Sequence, residues 1–174
     1  MSQPSPPSDA TIQACLLDLD AAMALRQAWR RDGLRLVLTN GCFDLLHPGH
    51  VRYLAAARRL GDRLLVAIND DGSTRGLKGP GRPVLPLADR AELLCALRSV
   101  DAVLPFGEST AVRLVQALAP DFYVKGGDYA ASSRRPPEAD AAEALGGEVR
   151  FLPFVDGRST TAILARIRAG EPGR

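Results

Sequence analysis

Read for polarity alone, the chain alternates short apolar runs with longer stretches in which apolar residues recur every three or four positions. The runs fall at residues 34–39, 63–69, 102–104, 122–125 and 148–152. The second is apolar at five successive positions from Leu64 to Ile68, as expected of a strand covered on both faces in a parallel sheet. The periodic stretches lie between the runs. Leu16, Leu19, Met23 and Leu25 lead toward Trp29 at near-helical spacing and stop at Asp32-Gly33, with Gly33 suited to cap the helix end. A second helix is expected from about Gly49 to Leu60. A third starts near Pro86 and turns Leu87, Ala91, Leu94, Cys95 and Leu97 toward the core. A fourth runs from an N-cap at Ser109 to the residues before Ala119-Pro120. Two more are expected over residues 137–145 and after Ser159, the last apolar at Ile163, Leu164 and Ile167.

Strand and helix alternate throughout. That order predicts an α/β fold, a Rossmann-like doubly wound parallel sheet of five strands with helices on both faces. Ligands of such sheets bind beyond the carboxyl ends of the strands. Four polar or glycine-rich segments, residues 40–50, 70–83, 126–137 and 153–158, each follow a strand, so all four are expected on that one edge. Residues 70–83 are rich in Gly and Pro and read as a long functional loop.

A length of 174 residues fits one domain. Residues 1–10 are almost without apolar side chains, so residues 1–14 are expected to be a disordered tail and residues 15–174 a single domain. The net charge of +2 gives no basis for a nucleic-acid or membrane surface. No apolar run reaches membrane-span length and no signal-peptide pattern opens the chain, which points to the cytoplasm. Three scattered cysteines, Cys15, Cys42 and Cys95, fit neither a disulfide framework nor a zinc site. Cys15 and Cys95 read as core. Cys42 reads as a small residue packed under its loop, with a reactive thiol as the alternative.

The stretch that organises the chain is Leu38-Thr39-Asn40-Gly41-Cys42-Phe43-Asp44-Leu45-Leu46-His47-Pro48-Gly49-His50. A strand runs into a turn, and a helix opens with Pro48 at its start. His47 and His50, the chain's only histidines, are three apart and so share one face of that helix start. Free N–H groups and the helix dipole make this point an anion site, and Gly41 and Gly49 let a ligand approach the backbone. A polyphosphate is the expected occupant. A second helix start, Asp156-Gly157-Arg158-Ser159-Thr160-Thr161, offers three hydroxyls and free N–H groups for the far phosphates, with a simple cap at Ser159 as the alternative.

The run GCFDLLHPGH resembles the G-x-F-D-x-x-H-x-G-H signature of the cytidylyltransferase-like nucleotidyltransferases, and the resemblance extends from about Leu17 to the end. The stretches from Lys78 through Gly79, Arg82, Pro83 and Val84 to Arg90, and Lys125-Gly126-Gly127-Asp128, are most similar to the branch that adenylylates D-glycero-β-D-manno-heptose 1-phosphate. In that branch the activity often forms the second half of a bifunctional protein fused to a sugar kinase.

The resemblance implies transfer of AMP from ATP, accompanied by Mg²⁺, to a sugar 1-phosphate, with self-association common among relatives. It implies catalytic roles for His47, His50 and Lys78. Nucleotide binding would fall to Asn40, Gly41, Cys42, Phe43, Lys125, Gly126, Asp128, Ser159, Thr160 and Thr161. Acceptor binding would fall to Asp44, Arg82 and Arg90 beside Lys78, and no residue is assigned as a metal ligand. Three roles stay open for Asp44: orienting a histidine, holding the loop, or meeting Mg²⁺. For Arg90 the alternative is a surface ion pair with Asp89 or Glu92. A tight turn would equally explain Gly126-Gly127. Two rival functions remain at this point. One is a relative with other substrates, such as a glycerol 3-phosphate cytidylyltransferase; the other is a nucleotide-binding module without catalysis.

Overall fold

The computed structural model describes residues 13–127, 135–153 and 159–170. Five parallel strands form one sheet: β1 (Leu36–Gly41), β2 (Arg63–Asn69), β3 (Ala102–Phe106), β4 (Phe122–Gly126) and β5 (Glu148–Leu152). Their order across the sheet is β3-β2-β1-β4-β5. The chain builds outward from β1 to β3, then returns to the other side of β1, which puts the reversal of order between β1 and β4. Among the described residues these helices connect or flank them: α1 (Leu19–Arg31), α2 (Pro48–Arg58), α3 (Asp71–Lys78), α4 (Leu87–Cys95), α5 (Val112–Leu118), α6 (Pro137–Ala144) and α7 (Thr160–Ala169).

The two-residue period of the strands sorts the core into two layers. Leu36, Leu38, Leu65, Ala67, Ala102, Leu104 and Tyr123 face Ala22 and Trp29 of α1, Leu114, Val115 and Leu118 of α5, and Ala139 and Ala142 of α6. Val37, Leu64, Val66, Ile68, Val103 and Val124 face Leu54 and Ala57 of α2 and Ala91 and Leu94 of α4. Every residue from Leu64 to Ile68 is fully buried, as the unbroken apolar run required.

Three expectations need correction. Residues 71–78 form a helix rather than a loop. The Asp70 carboxylate accepts from the Ser73 N–H at 2.7 Å and caps its start, and Gly79 at φ 90° ends it. Local capping outweighed the low helix propensity of Gly72 and Gly76. Helix α5 starts at Val112, not after Ser109, because the buried Glu138 carboxylate takes the Ala111 N–H at 2.9 Å. Leu16 lies outside α1: it bridges to Val103, and Asp18 caps the helix through the Ala21 N–H. Residues 13–15 form a helical turn, and the rest of the expected tail lies outside the described residues.

Gly147 is required by space, not by its backbone angle. A Cβ there would sit 2.5 Å from the Pro120 carbonyl oxygen and 3.1 Å from that of Ala142. Both neighbours are backbone and cannot swing away. Gly147→Ala is therefore expected to lower stability by about 1–3 kcal/mol, read as a lower midpoint in thermal or urea unfolding.

Candidate active site

Strand β1 ends in Asn40-Gly41, and the chain reverses before α2. Phe43 takes the left-handed conformation at φ 45° to make that reversal. Its buried ring comes within 3.1 Å of where a Cβ on Gly41 would stand, so Gly41 makes room for it. The same ring backs His50, centroid to centroid at 5.3 Å. His47 is the N-cap residue of α2, with Pro48 following, and its side chain makes no capping bond. One helical turn brings the two imidazoles face to face, 3.9 Å between centroids and 24° from parallel.

The His50 Nδ1 is buried with no hydrogen-bond partner among the described residues. Burial pushes this imidazole down from 6.5 to about 4, the His47 ring adds to the shift, and the Leu45 carbonyl opposes it. His50 is therefore neutral at neutral pH, beside a helix start that favours negative charge.

The second helix start meets the first. Ser159 caps α7, its Oγ accepting from the Ala162 N–H at 3.1 Å. The Thr160 hydroxyl donates to the Leu45 carbonyl at 3.5 Å, inside the loop that carries the histidines. Thr161 is exposed on the same first turn. Two segments more than a hundred residues apart thus form one rim.

Asp44 and Arg90 stand beneath that rim. Asp44 is 4% exposed; its carboxylate accepts from the Val84 N–H at 2.6 Å, the Leu85 N–H at 3.3 Å and the Arg82 guanidinium. Of its three open roles, the geometry selects holding the loop. Arg90 has no exposed surface. It donates to the carbonyls of Leu85 (3.0 Å), Cys42 (2.5 Å) and Asn69 (2.9 Å) and to the Asp71 carboxylate (2.7 Å). In this structure neither residue presents a free polar edge to an acceptor. Both are buried and spend their polar atoms on tying the histidine loop to β2, to α3 and to the segment before α4. The surface ion pair with Asp89 or Glu92 is not formed either.

Lys78 ends α3 and is exposed. It lies close enough to Lys125 to help depress that ammonium's pKa, after burial as the main cause. Lys125 donates to the Asn40 side-chain oxygen at 2.7 Å and to the Asn40 carbonyl at 3.3 Å. Gly126 closes β4 opposite Leu152, and Asp128 lies outside the described residues. Cys42 turns its thiol toward the Asn69 side-chain oxygen, 3.8 Å away.

Sequence reading passed over Asn69, Asp71, Tyr53 and Tyr123. The Tyr53 hydroxyl joins the Thr39 hydroxyl (2.7 Å) to the Val124 carbonyl (3.1 Å) across β1 and β4. Its place three residues after His50, on the same helical face, was the available signal.

A sequence model of the cytidylyltransferase-like family matches residues 38–164, and the chain belongs to that family. Among curated proteins it is 52% identical over 156 residues to the bifunctional protein HldE of Gluconacetobacter diazotrophicus, covering 87% of this chain and 31% of that one. It is 55% identical over 146 residues to the HldE of Halorhodospira halophila, covering 84% and 30%. The chain thus spans about a third of the length of these relatives. Among solved structures, the lipopolysaccharide core biosynthesis protein of Thermoplasma volcanium superposes with a TM-score of 0.57 at 28% identity, over 71% of this chain and 98% of that one. The pantoate-β-alanine ligase of Francisella tularensis shares the fold alone, with a TM-score of 0.55 at 13% identity over 84% and 68%.

Two measurements test this arrangement. In ligand-free protein the His50 ring is expected to titrate near 4 by NMR rather than near 6.5. The unfolded chain takes up that proton first, so this residue's contribution to stability is complete above pH 6.5 and is lost as pH falls toward about 4. Arg90→Met is expected to lower unfolding free energy by roughly 2 kcal/mol or more, since one buried and two part-buried carbonyls lose a donor at about 1–3 kcal/mol each.

Proposed function

We propose that the chain is an adenylyltransferase: it moves AMP from ATP to D-glycero-β-D-manno-heptose 1-phosphate and releases ADP-heptose and pyrophosphate. The observation that carries the reading is the meeting of the stacked His47–His50 pair with the α7 start at the Leu45 carbonyl. Membership of the cytidylyltransferase-like family and the likeness to HldE proteins over most of this chain support the substrate choice.

A phosphate oxygen of the sugar attacks the α-phosphorus in line, and pyrophosphate leaves from the opposite side. The attacking group is already an anion, so neither a covalent phosphohistidine nor a strong general base is needed. Negative charge gathers on the oxygens around the α-phosphorus, and donors fixed there in advance lower the barrier. His47 and His50 fill this role from the α2 start. Ser159, Thr160 and Thr161, with the N–H groups of α7, take the outer phosphates. Asn40, Gly41, Cys42 and Phe43 line the nucleotide through their backbone. Lys78 and Arg82 face the acceptor, Arg82 steadied by Asp44.

Mg²⁺, brought in with the triphosphate, would offset part of its charge. Among the described residues no cluster of three or more His, Cys, Asp or Glu could hold a metal. We assign the reaction to the cytoplasm, where ATP is supplied, and expect a homo-oligomer with neither nucleic acid nor membrane as a partner. No described helix is long and apolar enough to cross a membrane.

The test is incubation with ATP and the heptose 1-phosphate, with mass analysis of the product and a parallel panel of nucleoside triphosphates and sugar phosphates. ADP-heptose is expected. Preference for CTP would overturn the adenylyl assignment, and absence of turnover with every pair would favour a non-catalytic module. His47→Ala or His50→Ala is expected to cut kcat by roughly 10²- to 10³-fold while the fold is retained by circular dichroism.

A further inference from the structure

The sheet opens at a defined rung. β1 and β4 pair from Val37 and Phe122 up to Thr39 and Val124 and no further. β1 continues against β2 to Gly41, and β4 against β5 to Gly126. The first residues past the last shared rung are Asn40 and Lys125, so they flank the base of the crevice. The Lys125 ammonium spans it, donating to both oxygens of Asn40. The Asn40 side-chain oxygen also accepts from the Tyr123 hydroxyl at 2.6 Å. Tyr123 has no exposed surface, so its hydroxyl is a fixed donor.

Two donors on one oxygen settle the orientation of the Asn40 amide and hold the ammonium at the crevice. Among the described residues Lys125 forms no salt bridge; Glu138 acts on it only through its charge, and that carboxylate bonds to the Ala111 N–H. Among the described residues this half-buried ammonium bonds only to neutral oxygens, which leaves a cation suited to an anion. Lys78 nearby adds positive charge.

We propose that Tyr123 and Asn40 are positioning residues that hold the Lys125 ammonium at the β1–β4 split as the counter-charge for a phosphate lying in the crevice. This rests on the crevice being the nucleotidyl-transfer site. Its phosphate belongs either to the nucleotide or to the sugar acceptor, and binding of simple probes separates the two. Tyr123 touches no ligand; it acts through the Asn40 oxygen. Asn40→Asp keeps the shape but sets a carboxylate against the ammonium and cancels its charge toward the ligand.

The experiment has a binding arm and a kinetic arm. By calorimetry, the wild-type protein is expected to bind AMP more tightly than adenosine, or heptose 1-phosphate more tightly than free heptose, by roughly tenfold or more. In Lys125→Met that advantage is expected to fall several-fold for the same ligand, the remainder coming from the histidines or from Lys78 and Arg82. Retention of the full advantage in Lys125→Met, or its absence from wild type for both ligand pairs, overturns the proposal. In turnover, Lys125→Met and Asn40→Asp are each expected to lose on the order of 10²-fold in kcat. Tyr123→Phe, which keeps the buried ring, is expected to lose roughly fivefold. Combined with Lys125→Met, Tyr123→Phe should add no further loss. A merely structural tyrosine would cost the same in both backgrounds, and that result also overturns the proposal. If wild type turns over no substrate pair but the binding advantage depends on Lys125, the assigned reaction fails while the crevice cation stands.

Discussion

Strand β1 cannot stay paired to both neighbours at its carboxyl end. It keeps β2 to Gly41 and releases β4 after Thr39, and this single parting creates the space that the functional residues border. Reversal of strand order puts the parting at the middle of the sheet, where both faces are covered and the cleft has firm walls. The last shared rung is fastened from the α2 side by the Tyr53 hydroxyl, which bridges Thr39 and Val124. From the other face the Lys125–Asn40 bonds close the base. A crack in a sheet exposes unpaired backbone groups, and here side chains take up part of that exposure.

The histidine loop hangs from β1 and would be poorly fixed by apolar packing alone. Phe43 is its one deeply buried large apolar side chain. Polar groups provide the rest of the restraint. Arg90 reaches four acceptors on four segments, and Asp44 gathers two N–H groups and Arg82. Buried charges of this kind are costly to desolvate and rarely improve on an apolar core of the same volume. Their advantage is directional: a guanidinium with four of its five donors bonded leaves the loop one arrangement. The stacked imidazoles require such rigidity, because two rings at 3.9 Å hold their geometry only if their backbones do.

Much of this was legible from residue order. The unbroken apolar run from Leu64 to Ile68 told of a strand covered twice, and the alternation of elements told of the sheet. The HPGH and SerThrThr helix starts stood out in the sequence, and their meeting on one edge followed from strand polarity. What stayed hidden was partnership at long range. Nothing near Arg90 says that its acceptors lie on Cys42 and Asn69, so it was read by its charge as a ligand contact or a surface ion pair. Helix α3 was hidden for the opposite reason: its glycine content speaks for a loop, and only the local cap at Asp70 speaks for a helix. Ser109 looked like a cap because the competing acceptor, Glu138, arrives from a distant helix.

Helix α7 carries one half of the rim proposed to hold phosphate, yet contains no fully buried residue. Its Ile167 is 67% exposed, and the Thr160–Leu45 contact is long at 3.5 Å. Little apolar area therefore favours its docked position over an undocked one, and local opening of such an element lies at the low end of the free-energy scale. A triphosphate that bridges the two helix starts would act as the missing mortar. Ligand affinity would then be coupled to α7 docking, and a substitution on its outer face, far from any phosphate, could change how tightly the nucleotide is held.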